Sequence, residues 1–311
     1  MTYSEIINLE EAVLQEITFP WYNSSSKIFL LRLDQIHPYL NGNKWFKLKY
    51  NLKAAAEKNY DTLLTFGGAY SNHIHALSSA GKIFGFKTIG IIRGEERLPL
   101  NPTLQFAADN GMKLHYVTRS DYRKKHTEEF QNSLKQKFGN AYVVPEGGTN
   151  LLALKGCSEI PSLIQTEYDY LCTACGTAGT LSGLIAGLEG KKNIRGFSVL
   201  KDGDFLAGNT EKLVEEFVHK KFSNWRINLN YHFGGYAKIN RTLIEFMSEF
   251  EKLNSVQLDY VYTGKMLYAI FDLLKSGYFK KSERIVALHT GGVQGNAGMQ
   301  TKIEKVLSHS E

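Results

Sequence analysis

The chain reads as an α/β protein of two domains, each built on a mainly parallel, twisted sheet flanked by helices. Two observations carry this expectation. Short β-rich runs recur at residues 28–33, 62–66, 88–93, 113–117, 141–144, 168–173, 195–200, 259–262 and 285–289, with segments of helical spacing between most of them. Alternation of that kind favours parallel strands joined by helical crossovers. Glycines then follow apolar runs at Gly67-Gly68, Gly147-Gly148, Gly176 with Gly179, Gly234-Gly235 and Gly291-Gly292, where backbone turns with positive φ or closely approaches something. Ligands of parallel sheets sit at such strand ends. No repeat, low-complexity tract or Pro-rich linker separates the elements, so the second domain is expected to be woven into the first.

Composition narrows the class. With 43% hydrophobic and 22% charged residues over 311 positions, the chain can bury a sizeable core and is not disordered. Its net charge of +6 comes from scattered pairs, Lys124-Lys125, Lys191-Lys192, Lys220-Lys221 and Lys280-Lys281. These suit solvated faces rather than a nucleic-acid footprint, although a basic balance helps attract an anionic cofactor or substrate. Three cysteines, Cys157, Cys172 and Cys175, suit a reducing compartment and a role as small buried side chains. Cys172 and Cys175 form a Cys-x-x-Cys with no second pair to complete a zinc site, and no metal is expected. The first twenty residues lack a basic start followed by an apolar run, and no stretch is long and apolar enough to span a bilayer. A cytoplasmic enzyme with a small-molecule substrate is the expectation.

The chemistry-bearing segments begin with Asn41-Gly42-Asn43-Lys44, a turn that becomes helical through Tyr50, Leu52 and Ala54. Lys44 would stand near a helix start beside aromatic residues, where the macrodipole and poor solvation disfavour an ammonium. A neutral amine there could attack an aldehyde. Gly176, Thr177, Ala178, Gly179 and Thr180 follow an apolar strand and lead into a helix, an arrangement whose exposed N–H groups suit a phosphate dianion. The loop lacks the lysine of a nucleotide-binding Walker loop and the spacing of a dinucleotide fingerprint. Ser71, Asn72 and His73 open a helix after the strand at 62–66; they read either as an ordinary N-cap or as groups facing the same pocket. His73 and His75, two residues apart, face different sides of that helix and are no metal pair.

Five motifs in chain order resemble the fold-type II pyridoxal-phosphate enzymes, and within them the branch of 1-aminocyclopropane-1-carboxylate deaminase and D-cysteine desulfhydrase. They are Gly42-Asn43-Lys44; Gly67-Gly68-Ala69-Tyr70-Ser71-Asn72-His73; Glu146-Gly147-Gly148-Thr149-Asn150; the loop from Gly176 to Thr180 with Ser182-Gly183-Leu184; and Tyr262-Thr263-Gly264-Lys265 paired with His289-Thr290-Gly291-Gly292. The resemblance implies a tryptophan-synthase-β-like fold, pyridoxal 5'-phosphate as cofactor and a homodimer. It implies a larger cofactor domain from residues 1–50 plus 160–311, and a smaller one, 51–159, inserted between.

The resemblance also implies that Lys44 holds the cofactor aldehyde and moves the substrate α-proton, that Asn72 bonds the ring hydroxyl, and that Ser71 positions the substrate carboxylate with His73 nearby. Gly176, Thr177, Ala178, Gly179 and Thr180 would hold the phosphate. Tyr236 and Tyr262 become candidate proton donors to a leaving group. Thr263 and Thr290 occupy the positions where cyclopropane deaminases carry Glu and Leu, whereas desulfhydrase-like members carry hydroxyl residues. A hydroxyl supports a weaker electron sink than a carboxylate, which elimination of a good leaving group tolerates. The chain departs from the pattern at Asn41, Trp45-Phe46 and Val293-Gln294-Gly295-Asn296. Elimination of sulfide from a small amino acid is therefore the leading expectation and cyclopropane ring opening the alternative. A nucleotide-binding oxidoreductase or a non-catalytic binding module is the reading from another class.

Overall fold

The computed structural model describes residues 3–20 and 26–308. Along the chain run α1 (Tyr3–Ile6), β1 (Leu14–Ile17), β2 (Lys27–Leu31), α2 (Gly42–Glu57), β3 (Thr62–Gly67), α3 (Asn72–Phe84), β4 (Lys87–Arg93), α4 (Pro102–Asp109), β5 (Lys113–Val117), α5 (Arg119–Arg123), α6 (Glu128–Phe138) and β6 (Tyr142–Val144). There follow α7 (Leu151–Cys157), β7 (Tyr170–Cys175), α8 (Gly179–Leu188), β8 (Asn193–Ser198), α9 (Phe205–Val218), β9 (Trp225–Asn228), α10 (Arg241–Asn254), α11 (Thr263–Lys275), β10 (Arg284–Leu288) and α12 (Gln300–Ser308).

These strands form a six-stranded sheet in the order β1-β2-β10-β7-β8-β9 and a four-stranded sheet in the order β5-β4-β3-β6. Every pairing is parallel except β1 with β2. The α/β class with two mainly parallel sheets flanked by helices is thus the fold. Parallel alignment puts the C-terminal ends of β3, β6, β7 and β10 into loops that carry the glycine motifs, and those loops meet between the sheets.

A continuous apolar core joins the two sheets through α2, whose Trp45, Phe46, Leu48 and Leu52 pack with residues of both. Complete burial of a side chain such as Phe46 or Leu48 contributes about 1.5–3 kcal/mol. Gly156 of α7 has to be glycine, because a Cβ there would lie 1.7 Å from the Phe46 carbonyl oxygen. Helices α2 and α7 therefore touch backbone to backbone, which seats the start of α2 firmly at the cleft.

Two expectations need correction. Residues 259–262 are β-rich in composition but form a turn, because the Asp259 carboxylate captures the N–H groups that a strand would offer to a neighbour. Its Oδ1 accepts from Val261 N at 3.0 Å and Tyr262 N at 2.7 Å, and its Oδ2 accepts from Thr263 N at 2.8 Å. Strands β1 and β9 were not anticipated; both are four-residue edges, too short to announce a period. Among the described residues no helix is long and apolar enough to cross a membrane.

Candidate active site

Lys44 lies in the first turn of α2 and is partly buried at the cleft. The turn before it depends on Gly42, whose φ of +61° and 2.0 Å approach of an added Cβ to the Thr290 carbonyl oxygen exclude a side chain. That contact locks the lysine turn to the loop after β10. Asn43 Nδ2 donates to Thr180 Oγ1 at 2.9 Å, tying the same turn to the start of α8. Burial, then the charge of Lys47, lowers the Lys44 ammonium from the usual lysine range to about 7. The amine is thus substantially neutral near neutral pH, as condensation with an aldehyde needs. A neighbouring cation acts here beside desolvation.

Lys47, one turn further along α2 and 1% exposed, is the residue that sequence reasoning missed. Its Nζ donates to the Gly147 carbonyl at 3.0 Å, to Thr149 Oγ1 at 3.2 Å and to Thr177 Oγ1 at 3.3 Å. Burial lowers this ammonium from the usual lysine range, so its charge is costly in isolation, and an anion bound at the glycine loop would offset that cost. The i, i+3 spacing from Lys44, which places both amines on one helix face, was the available signal.

The loop at Gly176, Thr177, Ala178, Gly179 and Thr180 opens α8 without any side-chain cap; Gly179 N donates to the Thr177 carbonyl, and the N–H groups of Thr180 and Leu181 are left for an outside acceptor. The loop admits no added bulk: a Cβ on Gly179 would sit 2.7 Å from Thr149 Oγ1 and 3.1 Å from Lys47 Nζ. Thr177 Oγ1 lies 3.0 Å from Thr149 Oγ1, closing a ring of hydroxyls around the lysine.

From the four-stranded sheet, β3 delivers Ser71, Asn72 and His73. Ser71 is the N-cap of α3, its Oγ accepting from His73 N at 3.2 Å and Ile74 N at 3.3 Å. Its hydroxyl proton remains able to point outward. Gln294 Nε2 donates to Asn72 Oδ1 at 3.0 Å, which commits the Asn72 oxygen and leaves its NH2 as a donor. His73 is 1% exposed, and neither ring nitrogen has a hydrogen-bond partner. Burial, then the charges of Lys44 and Lys47, holds its imidazole neutral, well below the usual histidine range. His75, on the other side of the helix, stacks on Phe106 at 3.9 Å between centroids.

Tyr262, the residue before α11, brings its hydroxyl to 3.2 Å from where a Gly176 Cβ would stand. The Tyr236 ring meets it edge-on at 6.1 Å. Although Tyr236 is 44% exposed overall, desolvation at its hydroxyl and at that of Tyr262 pushes both phenols up, Tyr262 further with Tyr236 adjoining it, so both hold their protons at neutral pH. Thr263 is fully buried and exchanges hydrogen bonds with Asp259: its Oγ1 donates to Oδ2 at 2.6 Å and accepts from Asp259 N at 2.9 Å. Thr290 lies in the loop just after β10, largely buried, with its carbonyl against Gly42. All three cysteines are buried and free, and burial pushes Cys157 up to about 11 and Cys172 and Cys175 up to about 12. Thiols held that high are not nucleophiles.

Comparison with known proteins identifies the family. Residues 22–291 match the family described as pyridoxal-phosphate dependent enzyme, and the chain belongs to it. A protein of Pyrococcus furiosus named as a putative 1-aminocyclopropane-1-carboxylate deaminase is 32% identical over 90% of this chain and 89% of its own length. A bifunctional D-cysteine desulfhydrase/1-aminocyclopropane-1-carboxylate deaminase of Arabidopsis thaliana, described as mitochondrial, is 27% identical over 93% of this chain and 77% of that protein. The crystal structure of an ACC deaminase homologue superposes with a TM-score of 0.83 at 26% identity, covering 95% of this chain and 94% of that one. The cofactor is accordingly pyridoxal 5'-phosphate. The residues fit it: a half-neutral lysine, a buried second lysine, uncapped helix N–H groups in a loop closed to side chains, and an unpartnered imidazole all converge on one space.

Proposed function

We propose that this member of the pyridoxal-phosphate-dependent family is a lyase of the D-cysteine desulfhydrase type, eliminating sulfide from a small amino acid to give pyruvate and ammonia. One observation supports elimination over ring opening. Both oxygens of the Asp259 carboxylate, the acid at the head of α11, are occupied by the turn N–H groups and the Thr263 hydroxyl. The desulfhydrase-like Thr at 263 therefore comes with no free carboxylate from that turn to strengthen an electron sink.

When bound, the cofactor supplies the sink for the charge left at Cα. Lys44 would carry it until substrate arrives and then, as a free amine, take the α-proton. Ser71 would hold the substrate carboxylate with its outward hydroxyl proton, Asn72 would donate its NH2 to the ring hydroxyl, and neutral His73 would line the pocket. Lys47 and the loop from Gly176 to Thr180 would hold the phosphate. The Cβ–S bond would then break with its electron pair on sulfur, and Tyr236 or Tyr262 would donate the proton that lets sulfide depart, the proton taken up at Lys44 balancing the one the phenol gives. Released 2-aminoacrylate takes up water, giving pyruvate and ammonia. Residues 51–159 form the inserted domain in this reading, and residues 1–50 with 160–311 the larger one.

Ring opening of 1-aminocyclopropane-1-carboxylate, named for the Pyrococcus and Arabidopsis relatives, is the second reading. Assay of purified enzyme on both substrates, with Thr263→Glu and Thr290→Leu alongside, separates them. The expected result is pyruvate and sulfide from D-cysteine and little 2-oxobutanoate from the cyclopropane. No pyruvate from any cysteine enantiomer or other small D-amino acid would defeat the assignment.

A further inference from the structure

A second buried lysine stands outside the cofactor cradle. Lys265, on the first turn of α11 and 1% exposed, donates from Nζ to the carbonyl oxygens of His232 and Gly235, each at 2.8 Å. Those two carbonyls are the acceptors that close successive turns of the segment carrying Tyr236: Gly235 N donates to His232 O at 3.0 Å and Lys238 N to Gly235 O at 3.1 Å. The segment has no strand or helix of its own. Phe233, Gly234, Gly235 and Ala237 all adopt positive φ; for the two glycines this is unstrained, but for Phe233 and Ala237 it persists only when the surroundings enforce it. Tyr231 adds a second tie to the same helix, its hydroxyl donating to Asp272 Oδ2 at 2.7 Å.

We propose that Lys265 is a positioning residue for Tyr236: by clamping both turns of residues 232–238 onto α11, it fixes the phenol against Tyr262, which immediately precedes the same helix. One helix end thereby sets both halves of the tyrosine pair, Tyr262 through the Asp259 turn and Tyr236 through Lys265. Charge-assisted bonds to two carbonyls suit this purpose, because a buried ammonium has no water to turn to and holds its acceptors tightly. The lysine touches neither cofactor nor substrate, so its effect on the reaction runs through the loop. This inference rests on the proposed role of Tyr236 as a proton donor.

The test is a double-mutant cycle on the holoenzyme, combined with hydrogen exchange. In Lys265→Met, amides of residues 233–238 are expected to exchange at least about tenfold faster while the middle of α11 keeps its protection. Elimination should lose at least about tenfold in kcat with KM little changed, and the loss should nearly vanish when Lys265→Met is introduced into Tyr236→Phe. Equal losses in both backgrounds, or unchanged exchange in the loop, would overturn the proposal. If Tyr236→Phe alone keeps wild-type kcat, the proton-donor reading fails, whereas the exchange result still decides whether Lys265 holds the loop. Should Lys265→Met not fold, Lys265→Gln, which keeps an N–H donor on a shorter stem, is expected to show a smaller acceleration at the same amides; no acceleration there contradicts the clamp.

Discussion

Two strand-to-helix turns face each other across the cleft and satisfy their helix ends in opposite ways. The turn from β3 into α3 caps itself, Ser71 Oγ accepting from two backbone N–H groups. The turn from β7 into α8 has no side-chain cap and is instead ringed by Thr149, Thr177 and the Lys47 ammonium. A capped end is complete and contributes to stability without help. An uncapped end beside a buried cation has its donors available, and a bound dianion completes it. In the proposed function the difference divides labour: the α8 turn would grip the cofactor, whereas the α3 turn would present side chains to ring and substrate.

The largest effect expected is at the amine on which both turns converge. Lys44→Ala should abolish the visible absorption of the bound cofactor and lower turnover by at least ~10³-fold; a retained band would place the cofactor elsewhere. Next comes filling the uncapped turn. Gly179→Val should weaken cofactor binding by about 1.5–3 kcal/mol, as should Lys47→Met, each roughly the worth of hydrogen bonds to a charged group. Equilibrium dialysis of the cofactor reads both, and unchanged affinity would erase the contrast. Ser71→Ala should do the reverse, costing about 1 kcal/mol of stability in urea unfolding while cofactor affinity stays near wild type.

A further effect concerns pH. The Lys44 amine titrates near 7 because burial and Lys47 disfavour its charge, and only its neutral form attacks an aldehyde. The rate at which apoprotein takes up cofactor through Lys44 should therefore rise with pH, about tenfold per unit below 7, and level off above. A rate still climbing steeply above pH 9 would return Lys44 to the ordinary lysine range.

Much of this contrast was legible in the sequence, for identifiable reasons. Glycines after apolar runs marked the loops at Gly67, Gly147, Gly176 and Gly291, because close backbone approach leaves few alternatives to glycine. Lys44 stood out as a candidate from its turn and the ordered motifs around it. Lys47 was not, since its meaning depends on Gly147, Thr149 and Thr177, about 100 to 130 positions away. Residues 259–262 were misread because Tyr and Val favour strands on average, while one carboxylate decided the local outcome. The Asp-x-x-x-Thr spacing from Asp259 to Thr263 was the overlooked sign, since short polar side chains compete for backbone N–H groups at helix starts. Gln294 and Lys265 act on Asn72 and on the Tyr236 loop through contacts that local sequence does not announce.

Whether the α8 turn and Lys47 hold a fully ionised ester is measured most directly by the phosphorus-31 resonance of the holoenzyme as pH is varied. The free ester titrates near about pH 6. A dianion seated on uncapped N–H groups beside a buried ammonium should keep one resonance position from well below that pH to well above it. A resonance that moves through the same range as the free cofactor would show the phosphate standing in solvent, and would contradict the assignment of the α8 turn and Lys47 as its cradle.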